Sequence, residues 1–354
     1  MADTASPTSP GTPPKGPRHW PTWLALGVMW LAARLPWPVQ RALGAGIGAL
    51  AFAVAGERRR AARANLALCL PAMPEPARET LLRESFRDLG IGLFEFARAW
   101  WGSVTPMRRT VRVEGVEAIE AIRAQGRGVL LVSGHFMTLE MCGRLMCDHL
   151  PLAGMYRRHR SPVMEWAVKR GRLRYACAMF ANAELRPAMR HLKQGGLLWY
   201  APDQDMRGKE TVFAPFFGVP AATITATHQF ARLTGCAVVP FFHRREGGDY
   251  VLRLGEPLED FPSTDPVADS TRVNADRSDG ARGAKPVPLD PPPFQAAPSG
   301  RRHAVPLSDC LLSRLVPEPM PALTQAWPAG CRHTAQPTAT SARPRTSSRT
   351  RGGC

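Results

Sequence analysis

The chain has 354 residues and a formal net charge of +17, from 46 Lys and Arg against 29 Asp and Glu. That length suits one large domain or two smaller ones, and the surplus charge calls for an anionic partner. Nucleic acid is not the expected partner, because no binding signature accompanies the charge, and the eight cysteines show no paired spacing, which argues against a disulfide framework and for a reducing compartment.

Residues 1–19 are rich in Pro, Ser, Thr and Gly and are expected to be disordered. Trp20 to Pro36 is mostly apolar, with Trp20, Trp23, Trp30 and Trp37 suited to a membrane–water interface. A second apolar run, Ala42 to Ala55, is followed by Glu57 and the basic triplet Arg58-Arg59-Arg60. Neither run reaches the roughly 20 apolar residues of a comfortable span, and Arg34, Pro36 and Pro38 separate them. Residues 20–60 therefore read as a membrane anchor, either one marginal span or two helices lying in the interface. A buried hairpin of soluble helices is the alternative. No small-residue cleavage site follows, so a secreted product is not expected. If the anchor inserts, the triplet puts the body on the cytoplasmic side.

Residues 61–101 read as helices, with Leu66, Leu70, Leu81, Leu82, Phe86, Leu89, Leu93 and Phe96 at helical spacings. From Val111 the pattern becomes α/β, with strands expected at 111–113, 129–132, 197–200, 237–242 and 250–254. That alternation predicts a mixed central sheet flanked by helices, with functional residues at the strand ends.

Residues 128–140, Gly-Val-Leu-Leu-Val-Ser-Gly-His-Phe-Met-Thr-Leu-Glu, hold the chemistry. Val129 to Val132 is a buried strand by composition, Ser133-Gly134 breaks it, and Phe136 to Leu150 carries helix-forming residues. His135 then sits in the turn before a helix, from which Glu140 is expected to reach back to its imidazole. A carboxylate on one ring nitrogen fixes the tautomer and stabilises the imidazolium formed when the other takes a proton from a hydroxyl. Cys142, Cys147 and His149 look ligand-like, but no second cluster completes a zinc site and they read as core.

Two basic clusters follow, Tyr156-Arg157-Arg158-His159-Arg160 and Lys169-Arg170-Gly171-Arg172-Leu173-Arg174. Guanidinium groups suit bidentate phosphate contacts, so these read as an anion site rather than a solvated face. The strand at 197–200 ends in Ala201-Pro202-Asp203-Gln204-Asp205, where Asp203 is expected to order an arginine or a substrate hydroxyl rather than ligate metal. Phe213, Phe216 and Phe217, followed by Gly218, suit either an apolar channel or plain core.

With these residues in view, the chain resembles the late acyltransferases of lipid A biosynthesis, the lauroyl/myristoyl transferase family within the wider glycerophospholipid acyltransferase group. The resemblance covers about Trp20 to Thr271. It rests on the N-terminal hydrophobic anchor, His135-x4-Glu140, Tyr156-Arg157 with Pro162-Val163-Met164, Gly171-Arg172-Leu173-Arg174, Trp199 to Asp205, and Val239-Pro240-Phe241. Ser161 departs from it, where the family often has asparagine. The resemblance implies a glycerol-3-phosphate acyltransferase-like fold at the bacterial inner membrane, with the catalytic domain on the cytoplasmic side. It implies that His135 deprotonates a hydroxyl of a 3-hydroxyacyl chain on a phosphorylated glucosamine disaccharide. The hydroxyl oxygen attacks the thioester of an acyl-carrier-protein donor while Glu140 holds His135. Arg172, helped by Arg157 and Arg170, would bind phosphate or the oxyanion, with Asp203 ordering that network. No metal or organic cofactor is implied. The alternatives are a lysophospholipid or other glycolipid acceptor, or an inactive remnant that only binds anionic lipid.

The remnant is weighed because the sequence changes character beyond about Asn274. Residues 275–354 are rich in Pro, Arg, Ser and Thr and read as a disordered, non-native tail after an acyltransferase domain at 61–274. Leu289-Asp290-Pro291-Pro292-Pro293-Phe294-Gln295 can be encoded by bases that, taken with two more in front and one behind, read in another frame as Leu-Trp-Ile-His-Arg-Arg-Phe-Lys, a segment like that with which family members usually finish. A frameshift near residue 275 is therefore expected, with a native Pro-rich tail as the alternative.

Overall fold

The computed structural model describes residues 6–203 and 211–283. Four helices open the chain: α1 (Trp20–Ala32), α2 (Trp37–Val54), α3 (Gly56–Cys69) and α4 (Glu75–Trp101). A short helix, α5 (Thr105–Thr110), leads into β1 (Arg112–Glu114), α6 (Val116–Ala124), β2 (Val129–Val132), α7 (Leu139–Met146), β3 (Leu152–Tyr156), α8 (Pro162–Arg172) and β4 (Ala178–Ala181). Then come α9 (Leu185–Lys193), β5 (Leu197–Tyr200), β6 (Thr211–Phe216), β7 (Val219–Ile224), α10 (Ala226–Thr234), β8 (Ala237–Glu246), β9 (Asp249–Leu254) and α11 (Pro266–Gly283).

Seven strands form one mixed sheet in the order β1-β9-β8-β2-β5-β3-β4. Only β8 and β9 pair antiparallel; the other neighbours are parallel. The continuous apolar run of β2 follows from that position, because a central parallel strand is covered on both faces. Val129 and Leu131 face the α6–α7 layer, with Ile119, Met141 and Leu145. Leu130 and Val132 face α9 and α10, with Leu192 and Phe230. The expected sheet and its five strands are present, with β8 running four residues longer than its pattern suggested. β3 and β4 went unread because Leu-Ala-Gly-Met-Tyr and Ala-Met-Phe-Ala contain no β-branched residue. The separate β6–β7 hairpin turns at Phe217 and Gly218, with φ of 51° and 78°. Positive φ at both central positions matches the right-handed strand twist, and Phe216 and Phe217 are buried while Phe213 is exposed.

The N-terminal helices form a surface of their own. No single helix among the described residues is long and apolar enough to cross a membrane; α2 and α3 pass that test only together, across a 92° bend. Instead, Trp20, Leu24, Val28 and Leu31 line one face of α1 at 58–71% exposure, and Val39, Leu43, Ile47, Leu50 and Val54 line α2 at 43–73%. The opposite face of α2 closes on α4 backbone to backbone. A Cβ at Gly44 would stand 2.7 Å from Ile91 Cα, and one at Gly48 only 2.2 Å from the Phe86 carbonyl oxygen.

Two expectations at the ends of the chain need correction. Residues 6–19 are not disordered, since side chains of α1 and α8 supply donors for carbonyls that a Pro-rich segment leaves unpaired. Lys169 Nζ donates to Ser6 O (2.9 Å), Trp166 Nε1 to Gly11 O (3.1 Å) and Trp23 Nε1 to Pro14 O (3.1 Å). At the other end, α11 runs through the expected boundary at 275 to Gly283, while residues 284–354 lie outside the described residues.

The α2–α4 seam gives a direct test. Gly48→Val should lower the thermal midpoint, with overpacking costing about 1–3 kcal/mol. Gly46→Ala, on the exposed side where a Cβ meets nothing within 4 Å, should leave the midpoint unchanged or raise it. Thermal unfolding of both variants in lipid or detergent reads the difference, and an unchanged Gly48→Val would contradict the close seam.

Candidate active site

β2 and β5 are parallel neighbours with Val132 opposite Tyr200. Ser133 N donates to Tyr200 O at 3.0 Å, carrying the ladder one step further. The third residue beyond each strand end, His135 and Asp203, therefore emerges at the same carboxyl edge of the sheet, where α/β proteins place their sites. Asp203 holds His135 at two points. Its Oδ2 accepts the His135 backbone N–H at 2.6 Å, and its Oδ1 lies 2.5 Å from His135 Nδ1. Gly134 permits the approach, because a Cβ there would meet Asp203 Oδ2 at 3.2 Å.

An ionised carboxylate only accepts, so Nδ1 carries a proton toward Asp203 and the basic lone pair of the imidazole is at Nε2. The His135 side chain is 32% exposed and that of Asp203 only 12%. Burial on its own would raise the Asp203 carboxyl, but the His135 charge, its two hydrogen bonds and the nearby Arg277 outweigh burial and hold it well below the usual carboxylate range. Its contribution to stability is therefore present above the ordinary carboxylate pKa and is lost as pH falls through the depressed folded value.

Glu140 does not hold His135. α7 begins at Leu139, three residues later than the composition suggested, so Phe136 to Thr138 form a turn and Glu140 faces α4 and α8. Its Oε2 accepts from Trp100 Nε1 (3.0 Å) and Tyr175 OH (3.2 Å), and its Oε1 accepts from Arg172 Nε (3.0 Å) and Arg172 Nη2. Burial works against the Arg172 charge, but the Glu140 carboxylate overrides it and raises the guanidinium further. Arg172 is thus committed to an internal carboxylate. Gly171 beside it lets the Trp100 ring lie against α8, as a Cβ there would be 2.4 Å from the ring.

The other expected cations stand apart from this network. Arg157 is exposed just beyond β3, the sheet neighbour of β5, and exposed Arg170 lies with its guanidinium carbon 5.3 Å from the Trp166 ring centroid. Trp100, Tyr175, Thr138 and His243 escaped the sequence reading, although Phe241, His243 and Arg245 alternate along β8 in the manner of an inward face. Cys142 is buried in the core, and no group of three or more His, Cys, Asp or Glu among the described residues is arranged to hold a metal ion.

The sequence model of a family described as bacterial lipid A biosynthesis acyltransferase matches residues 14–277. The lipid A biosynthesis lauroyltransferase of Escherichia coli (strain K12) is 39% identical over 256 residues, which are 70% of this chain and 84% of that protein. The lipid A biosynthesis palmitoleoyltransferase of the same organism is 40% identical over 250 residues, 70% of this chain and 82% of its own. The solved 1-acyl-sn-glycerophosphate acyltransferase PlsC from Thermotoga maritima overlays 58% of this chain and 88% of its own, with a TM-score of 0.34 and 18% identity, an overlap too slight to assign a fold.

Glu140→Gln leaves Arg172 without its counter-charge in a largely buried place, a loss expected to cost about 3 kcal/mol. Denaturant unfolding should show the unfolding free energy falling by that amount, whereas the exposed pair partner Arg63→Gln should change it by under about 1 kcal/mol. Equal effects would deny Glu140 its structural role.

Proposed function

We propose how the site works in a chain that belongs to the bacterial lipid A biosynthesis acyltransferase family: His135 is the general base, and Asp203 orients it and stabilises its charge. Membership makes the protein an acyltransferase of lipid A biosynthesis, with a lipid A precursor as its acceptor class. The mechanism is carried by the two-point hold of Asp203 on His135. An acceptor hydroxyl presented to Nε2 gives up its proton as its oxygen attacks the carbonyl carbon of an acyl thioester. The carbonyl electron pair moves to oxygen, then returns as the carbon–sulfur bond breaks, and the imidazolium gives its proton to the departing thiolate. Asp203 fixes the tautomer and lowers the energy of the imidazolium, a contribution of roughly 10²–10⁴-fold for a positioned base.

An acyl-carrier-protein thioester is the proposed donor, because a chain of charge +17 favours an acidic carrier. For a phosphorylated glycolipid acceptor, Arg157 is the better-placed cation, exposed at the carboxyl edge that also holds His135, with Arg170 further along α8. The chemistry requires no metal or organic cofactor. The apolar stripes of α1 and α2 support a body resting on a membrane, with these helices lying in the interface rather than crossing it. Arg58 to Arg60 favour the cytoplasmic face of the inner membrane. A lysophospholipid is the rival acceptor, and offering both acceptors to the same preparation separates the two.

Membranes carrying the full chain, supplied with labelled acyl-acyl-carrier protein and a tetra-acylated lipid A precursor, should form product. His135→Ala and Asp203→Asn should each lower the rate by at least about 100-fold; equal rates in wild type and His135→Ala would contradict the base assignment. The family match ends at residue 277, so the reading-frame proposal is tested alongside. Turnover only when the other frame is restored would locate a defect in the tail, and turnover from neither chain would contradict the acyl-transfer mechanism.

A further inference from the structure

The turn that carries His135 is fastened at its start by Asp203, and a second fastening holds its other end. Thr138 Oγ1 lies 2.8 Å from His243 Nδ1, and both residues are buried. The ring of Phe136, next to His135, stands edge-on to the same imidazole, with centroids 5.0 Å apart and planes at 89°. Trp199 and Phe241 close around His243, with ring centroids at 5.4 Å and 5.3 Å. Its Nε2 has no hydrogen-bond partner among the described residues. A phenylalanine would fill this aromatic nest without burying an unpaired nitrogen, a cost that needs a reason.

The bond to Thr138 supplies one. Burial, aided by the His135 charge, lowers His243 to about 3 and keeps it neutral, so its ring has one proton and one lone pair, and Nδ1 pairs with the Thr138 hydroxyl in either tautomer. A phenylalanine in its place would have no atom to pair with that hydroxyl.

We infer that His243 is a positioning residue for His135: through Thr138 and Phe136 it locks the far end of the turn to β8, so that the imidazole Nε2 is presented at one fixed orientation. Together with the approach of Gly92 on α4, where a Cβ would stand 3.1 Å from Met137 O, the turn is then tied to three separate elements, β5, α4 and β8. The inference rests on His135 acting as base, and its consequence is kinetic. Substrates still bind when the lock is cut, but a base wandering by an ångström lowers turnover by about 10²-fold.

The test uses the full chain in detergent or membranes. Thr138→Val keeps the shape and removes the hydroxyl, and should lower kcat roughly 10- to 100-fold with KM for both substrates within about twofold. Thr138→Ser restores the bond and should restore kcat. His243→Phe should resemble Thr138→Val, and the double variant should be no worse than the poorer single, as expected of two ends of one bond. Unchanged kcat, a loss confined to KM, or independent multiplying losses would overturn the inference. Histidine-labelled ¹⁵N spectra give a readout that survives absence of turnover. Wild type should show one histidine as a neutral imidazole throughout the neutral range, assigned to His243 by its loss in His243→Phe. Thr138→Val should shift the His135 imidazole signals while the melting temperature stays close to wild type. His135 signals indifferent to Thr138→Val would overturn the inference whatever the turnover, whereas a shift in a chain without turnover would leave the lock standing and count only against the base.

Discussion

The carboxylate of Asp203 takes two donors from a single residue, the backbone N–H and the ring Nδ1 of His135, and the proposed chemistry depends on that double hold. One bond would orient the imidazole about a free axis; two from the same residue remove that freedom. The arrangement exists because β2 and β5 are parallel neighbours in register, so that equal offsets past their ends bring the two side chains together. It operates at neutral pH because the partners hold the Asp203 charge against burial.

α4 connects this site to the apolar surface. Its middle turns lie against the glycine face of α2, and its last turn sends Trp100 to the Glu140 carboxylate. Between them, Glu95 Oε1 accepts from Arg245 Nε (2.8 Å) and from Tyr250 OH (2.6 Å), which ties the same helix to β8 and β9. Buried ion pairs of this kind add little net stability compared with apolar packing, but they penalise any other arrangement of the elements they join. α4 is therefore held to one setting against the sheet, and the apolar stripes of α1 and α2 keep a fixed relation to His135. On the proposed reading, in which these stripes rest on a membrane and His135 is the base, that fixed relation would set where the acyl chain and the base meet.

Much of this was legible in the chain and some was not, for local physical reasons. β2 was readable because a strand covered on both faces is apolar throughout, and the break at Ser133-Gly134 marked where a functional side chain would leave the sheet. Both His135 and Asp203 drew attention in the sequence, but their partnership did not, since register between strands 68 residues apart leaves no local trace. Glu140 was assigned to His135 because it is near in sequence; the late start of α7 turns it toward Trp100 and Arg172 instead. β3 and β4 were missed for want of β-branched residues, and the order of residues 6–19 was missed because their carbonyl partners, Trp23, Trp166 and Lys169, come from elsewhere in the fold. His243 carried no signal beyond alternation along β8.

The identity of the His135 partner is the central claim, and the proton on its Nδ1 reports it directly. In the proton spectrum of ¹⁵N-histidine-labelled protein, that proton should appear far downfield, as it does when donated to a carboxylate. It should vanish or move strongly upfield in Asp203→Asn while surviving in Glu140→Gln. A signal that persists in Asp203→Asn and is lost in Glu140→Gln would contradict the account and return Glu140 to the place where sequence proximity first put it.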